Sequence, residues 1–158
     1  MKATIIIAAA ALTGSVALAE PYVDYNLEGV YIDGNKGAGF ITWIEQSKGC
    51  VPYFEVYEES ITRWIETEFE FRARIDSKPI WKFNSFAEGG EEGLSIYWQF
   101  SRDGVRQRFI NELRRGINIR VKMSDSWKET FSLMGYSVAY NKLMQHCKRG
   151  LRGEDLYL

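Results

Sequence analysis

One histidine, two cysteines and a formal charge of −1 are what this 158-residue chain has least of, and each scarcity excludes something. Two thiols and the single His146 fall one ligand short of a four-coordinate zinc site, and His146 adjoins Cys147 in sequence, so no metal is expected. No loop has the ligand spacing of an EF-hand, and no cofactor motif is present. A nearly neutral chain lacks the surplus of phosphate-neutralising cations on which general nucleic-acid binding rests. Past the first residues, no stretch approaches the 18 or so apolar residues that a transmembrane helix requires.

What is present begins with a short leader. Lys2 supplies a positive start, Ile5 to Leu12 an apolar run, and Ala17 and Ala19 the small residues that a signal peptidase accepts. The reading is a signal peptide over 1–19, a single β-rich domain over 20–149 and a loose tail over 150–158. An uncleaved leader acting as an anchor is the alternative. No cysteine stands at the cleavage point, which argues against lipid anchoring. The remaining 139 residues carry 19 basic and 21 acidic side chains, enough chain for one domain with a real core. Export to the periplasm or beyond allows Cys50 and Cys147 to pair. Closing a loop of that length stabilises a fold by roughly 4 to 5 kcal/mol on the chain-entropy account. An intermolecular bridge or two free thiols are the alternatives.

Hydrophobic alternation is mostly of period two, the mark of strands with one buried face. Gly29–Asp33 and Gly39–Glu45 read as a hairpin. Cys50–Glu58 follows, with Pro52, Phe54, Val56 and Glu58 on its more apolar side and Pro52 marking an edge or a strand start. Ile65–Arg74 alternates Ile65, Thr67, Phe69, Phe71 and Ala73 against Glu66, Glu68, Glu70 and Arg72. Pro79–Phe83 reads as a short strand, Glu88–Gly93 as a solvated loop, and Leu94–Phe100 as a strand with Leu94, Ile96, Trp98 and Phe100 inward. A helix is predicted from Gly104 to Arg115, capped by Asp103 and ended by Gly116, with Val105, Phe109 and Leu113 buried. Ile117–Met123, with Ile117, Ile119, Val121 and Met123 inward, and Trp127–Leu133 complete the strands. A second helix over Tyr136–Lys148 turns Tyr136, Tyr140, Leu143 and Cys147 to one side. Seven or eight strands with two helices predict a mainly β fold, an antiparallel β-sandwich or curved sheet whose last helix is tied by the disulfide.

The constellations that could carry chemistry are incomplete. Gly135-Tyr136-Ser137-Val138-Ala139 resembles a nucleophile elbow, but His146 lies nine residues along the same helix and cannot serve Ser137 as a base; Ser137 reads as a helix cap. Gly34–Gly39 lacks the Gly-Lys-Ser/Thr ending of a phosphate loop and precedes a strand, so it reads as a hairpin turn. Glu66, Glu68 and Glu70, with Glu55, Glu58 and Glu59 nearby, are expected on the wet side of a strand rather than in a catalytic cleft. No catalytic residue is therefore assigned. Charge is segregated: Glu55–Glu92 holds ten acids and five bases, Arg102–Lys128 eight bases and three acids. Arg120 and Lys122 are expected across from the glutamate row. Arg106, Arg108, Arg114 and Arg115 form a candidate basic surface for an acidic partner, and Trp43, Trp64 and Tyr97 are candidate exposed aromatics.

The segment Phe131-Ser132-Leu133-Met134 followed by Gly135-Tyr136-Ser137-Val138-Ala139 and a helix closing at Cys147, with Cys50 upstream after a Trp-containing strand, resembles the small exported proteins of the invasion-associated locus B type. The resemblance implies a periplasmic or secreted β-sandwich without known catalytic residues. The combined expectation is a non-enzymatic envelope protein that binds a protein partner in the envelope or outside the cell, as an interaction, inhibitor or immunity-type module. A glycan- or envelope-associated structural role and a small hydrolase are the alternatives.

Overall fold

Period-two alternation becomes nine strands among the residues that the structure, a computed structural model, describes: 21–24, 29–34, 37–61, 65–124 and 127–152. The expected leader, Trp64 and the chain past residue 152 lie outside the described residues, as do the side chains of Ile65, Glu66, Thr67 and Phe69. The strands are β1 (Tyr22–Asp24), β2 (Gly29–Asp33), β3 (Ala38–Glu45), β4 (Val51–Glu58), β5 (Ile65–Ile75), β6 (Trp81–Gly90), β7 (Gly93–Trp98), β8 (Asn118–Lys122) and β9 (Lys128–Ser132). The helices are α1 (Asp103–Arg115) and α2 (Tyr136–Leu151).

All nine strands join one antiparallel sheet in the order β1-β2-β3-β4-β7-β6-β5-β8-β9. Of the two layouts expected, this is the curved sheet. It curls into a half-barrel, so that β9 at one edge comes round to touch β2 and β3 near the other. Both helices pack inside the curl. Phe109 of α1 meets Phe54, Phe83 and Trp98 at ring centroid distances of 5.0, 5.7 and 6.3 Å, mostly edge to face, the arrangement aromatic quadrupoles favour. Phe71 and Phe40 extend the cluster to Trp98 at 4.7 and 6.0 Å.

Tyr136, Ala139, Tyr140, Leu143 and Cys147 form the buried stripe of α2, as the spacing predicts. Cys147 is bonded to Cys50, with the two Cα atoms 6.0 Å apart. The wholly buried Tyr136 hydroxyl lies 2.7 Å from Thr42 Oγ1, joining α2 to the middle of β3. The helix entrance is shaped by Gly135, whose φ of 87° lies in the left-handed region. Ser137 does not cap the helix; its hydroxyl accepts from Arg114 Nε at 3.4 Å instead. The helix also runs past Lys148 to Leu151, taking in the first two residues of the expected tail.

Other expectations are corrected. The stretch 79–93 is no short strand and loop: β6 runs to Gly90 and meets β7 through a turn at Glu91 and Glu92. Period two continues to the end, with Phe83, Ser85 and Ala87 buried and Lys82, Asn84, Phe86 and Glu88 exposed. Gly93 makes the turn possible, because its φ is 124° and a Cβ there would lie 2.7 Å from the Glu58 carbonyl oxygen. On α1 the buried residues are Phe109, Ile110 and Leu113, while Val105 is exposed. Four-residue spacing overshoots a turn of 3.6 residues, so Val105 drifts to the edge of the stripe and Ile110 takes its place. Asp103 lies within the helix and pairs with Arg106 rather than capping. Ile117, expected inward, is 60% exposed; it precedes the paired part of β8, and its N–H donates to the Asp76 carboxylate. Pro52 is a strand start, not an edge: it opposes Ile44 of β3, and β7 pairs with β4 only from Phe54 onward.

Candidate binding face

Because both helices fill the inside of the curl, the convex face of the sheet is left to the alternate side chains of every strand. Strand register places Tyr22, Tyr31, Ile41, Glu55, Tyr97, Phe86 and Glu68 in one row across β1, β2, β3, β4, β7, β6 and β5. Trp43 and Tyr53 form the neighbouring pair on one side, and Tyr57 lies on the other. Trp43 and Tyr97, both anticipated from the sequence, are thus on this face.

The rings stand on the sheet against one another. Tyr22 and Tyr31 stack at 5.4 Å with 14° between their planes, Trp43 and Tyr53 at 6.1 Å with the same angle, and Tyr31 meets Trp43 edge-on at 5.4 Å. Ile41 and Glu55 are buried on this face, although both described helices lie on the other. Tyr22 and Phe86 remain 48% and 45% exposed, which gives the face an accessible apolar margin at each end.

Glu55 is the polar centre. Its Oε2 accepts from Trp43 Nε1 at 2.6 Å and its Oε1 from the Ser95 hydroxyl at 2.6 Å. The buried Glu58, on the concave side of the same strand, accepts from Trp127 Nε1 at 2.8 Å. Glu112 of α1 does the same for Trp81 at 2.9 Å. In each case a carboxylate takes an indole proton that burial would otherwise strand. Glu68 and Glu70 are exposed, as expected of the wet side of a strand. The Tyr31 hydroxyl is buried with no hydrogen-bond partner among the described residues. Burial, and then Asp24, push its pKa well above the ordinary phenol value. Burial and Asp33 raise Tyr57 to about 12. An open depression of about 690 Å³, lined by Ile44, Tyr53, Tyr97, Trp98 and Gln99 among others, lies at one end of the face.

The four arginines of α1 do not gather. Arg106 and Arg114 lie near Tyr140 on the α2 side. Arg108 sits 4.6 Å above the Trp81 ring and bonds Glu112 at 3.3 Å, and with Arg115 lines a separate depression beside Lys78. Ser137 and His146, both on α2, are separated by about 13 Å of helix rise.

Arg120 and Lys122 do not face the glutamate row. They pair in register with Arg74 and Arg72, because β8 joins the later half of β5 and the glutamates stand on its earlier half. Tyr22, Tyr31, Tyr53, Tyr57 and Phe86 were not singled out from sequence. Alternation does put Tyr53 and Tyr57 on the less apolar side of their strand, as found, but assembling the row requires the strand order. Comparison with family models, with curated proteins and with solved structures finds no match for the chain.

Proposed function

We propose that this chain is an exported, non-enzymatic protein of the periplasm or cell exterior, and that its convex aromatic face binds a protein partner. The observation that carries the reading is the row from Tyr22 to Phe86 on the sheet face opposite to both described helices. Tyrosine and tryptophan are the residues that protein interfaces concentrate at their centres. The rings of Tyr22 with Tyr31 and of Trp43 with Tyr53 spend their flat faces on each other and leave mainly their edges for a partner. That favours a protein surface, with its backbone donors and acceptors, over a sugar ring that needs an open aromatic face. Export is supported by the Cys50–Cys147 bond and by the leader pattern. No helix among the described residues is long and apolar enough to cross a membrane.

The use of the acids supports a binding role. Glu55 has both oxygens committed to Trp43 and Ser95, so it holds the face together instead of standing ready to move a proton. The resemblance of the last strand and helix to the invasion-associated locus B proteins points the same way.

The test is affinity capture from envelope extract with the oxidised protein, followed by the same capture with Tyr22→Ala/Phe86→Ala. A bona fide partner is held by the parent protein and loses about tenfold or more in affinity to the double variant. It binds undiminished when Arg108 and Arg115 are both changed to Glu. Capture insensitive to the aromatic substitutions would remove this face from the function.

A further inference from the structure

The other half of the convex face is cationic. Register aligns Lys82, Arg72, Lys122 and Lys128 across β6, β5, β8 and β9, and the next row places Arg74 opposite Arg120, followed by Thr130. All six cations are exposed. Adjacent strands lie about 4.8 Å apart, so four positive side chains stand in line at that repeat, with two more one row away. Every neighbour is inside the screening length of about 8 Å at physiological salt.

Strand pairing works against this. Like charges directly opposite each other weaken a sheet, and the whole chain is slightly acidic, at −1. Arg72 has Glu70 at 3.2 Å, but Arg74 gives its donors to the uncharged carbonyls of Lys78 and Ser77 at 3.1 and 3.3 Å. The accumulation is a feature of the assembled sheet: its members come from four strands spread between residues 72 and 128.

We propose that this band binds a linear acidic polysaccharide, with successive acid groups meeting Lys82, Arg72, Lys122 and Lys128. An extended chain of acidic pyranoses carries acid groups along its whole length, which suits a row of cations about 4.8 Å apart. The face is convex, so a flexible chain can follow it while a flat bilayer would touch only a strip. The leader pattern and the Cys50–Cys147 bond favour an oxidising exterior, where acidic polysaccharide rather than nucleic acid is the linear polyanion at hand. The band is separate from the aromatic row, and the proposal does not depend on the protein-binding reading.

The experiment is titration calorimetry of the oxidised protein with a heparin oligosaccharide at about 50 and 150 mM NaCl. Binding that weakens with salt is expected, with no uptake of neutral dextran. Arg120→Glu/Lys122→Glu should lose about tenfold or more in affinity, while Arg108→Glu/Arg115→Glu stays within about twofold of the parent. A readout on the unmodified protein guards against misfolded variants: heparin should protect Lys82, Lys122 and Lys128 from acetylation while Lys48 and Lys148 remain reactive. No binding at low salt would overturn the proposal, as would equal losses from both variants or absence of lysine protection. Tighter binding to phosphatidylglycerol vesicles or to single-stranded DNA than to heparin would also overturn it, by naming a different class of partner.

Discussion

At the scale of single residues, the recurring device is a carboxylate that accepts an indole proton: Trp43 with Glu55, Trp127 with Glu58, Trp81 with Glu112. Glu55 carries the most, because it also takes the Ser95 hydroxyl. Glu55→Leu keeps the volume but strands both donors, and should cost about 1 to 3 kcal/mol. Urea denaturation followed by tryptophan fluorescence measures it. Tyrosines supply a second residue-level effect. Burial raises Tyr140 to about 12, with Arg114 and Arg106 pulling the other way, and Tyr57 stands at about 12. Tyrosines in the unfolded chain titrate near 10. Between those values the unfolded state releases protons that the native state keeps, so stability is complete below about pH 10 and declines as pH rises towards 12. Denaturation midpoints at pH 8, 10 and 11 should fall in that order; a flat series would show that burial of these phenols has been misjudged.

At the scale of elements, α2 is held to the sheet by apolar packing, by the Thr42–Tyr136 hydrogen bond and by the disulfide. Cys147→Ser should lower stability by about 2 to 5 kcal/mol under oxidising conditions. Tyr136→Phe, which leaves Thr42 buried with an unmet hydroxyl, should cost about 1 to 3 kcal/mol. Both are read from equilibrium melts, and an unchanged Cys147→Ser curve would deny the bridge its role. The cationic strands predict the opposite sign. Arg120→Thr removes a like-charge pairing with Arg74 and should stabilise the sheet by about 0.2 to 1 kcal/mol, while weakening polyanion binding.

At the scale of the whole molecule, legibility in the sequence follows the range of the interaction. Alternation along one strand is local, so the inward parity of Phe54, Val56, Phe71, Ala73, Ile96 and Trp98 and the stripe of α2 were readable from spacing alone. The disulfide was readable too, since two cysteines allow one internal pairing. Strand order was not. Nothing near Arg72 in sequence announces that β8 will lie beside it and Lys82 on its other side, so the cationic band was invisible and Arg120 was set opposite glutamates. The aromatic row fails for the same reason, being drawn from six strands. Even β6 was cut short because glycines and acids at 88–93 carry the composition of a loop, whereas hairpin register keeps most of them paired.

The position of the bridge has one more outcome. Everything from the start of β4 to Cys147 in α2 lies inside the ring that Cys50 and Cys147 close. A glutamate-specific protease that nicks the exposed Glu91–Glu92 turn therefore cuts the backbone without parting the pieces. Such a nicked protein should migrate as one band on a denaturing gel until a reductant is added, and as two bands afterwards. A protein built this way can lose its continuity at a surface turn and still keep its halves together.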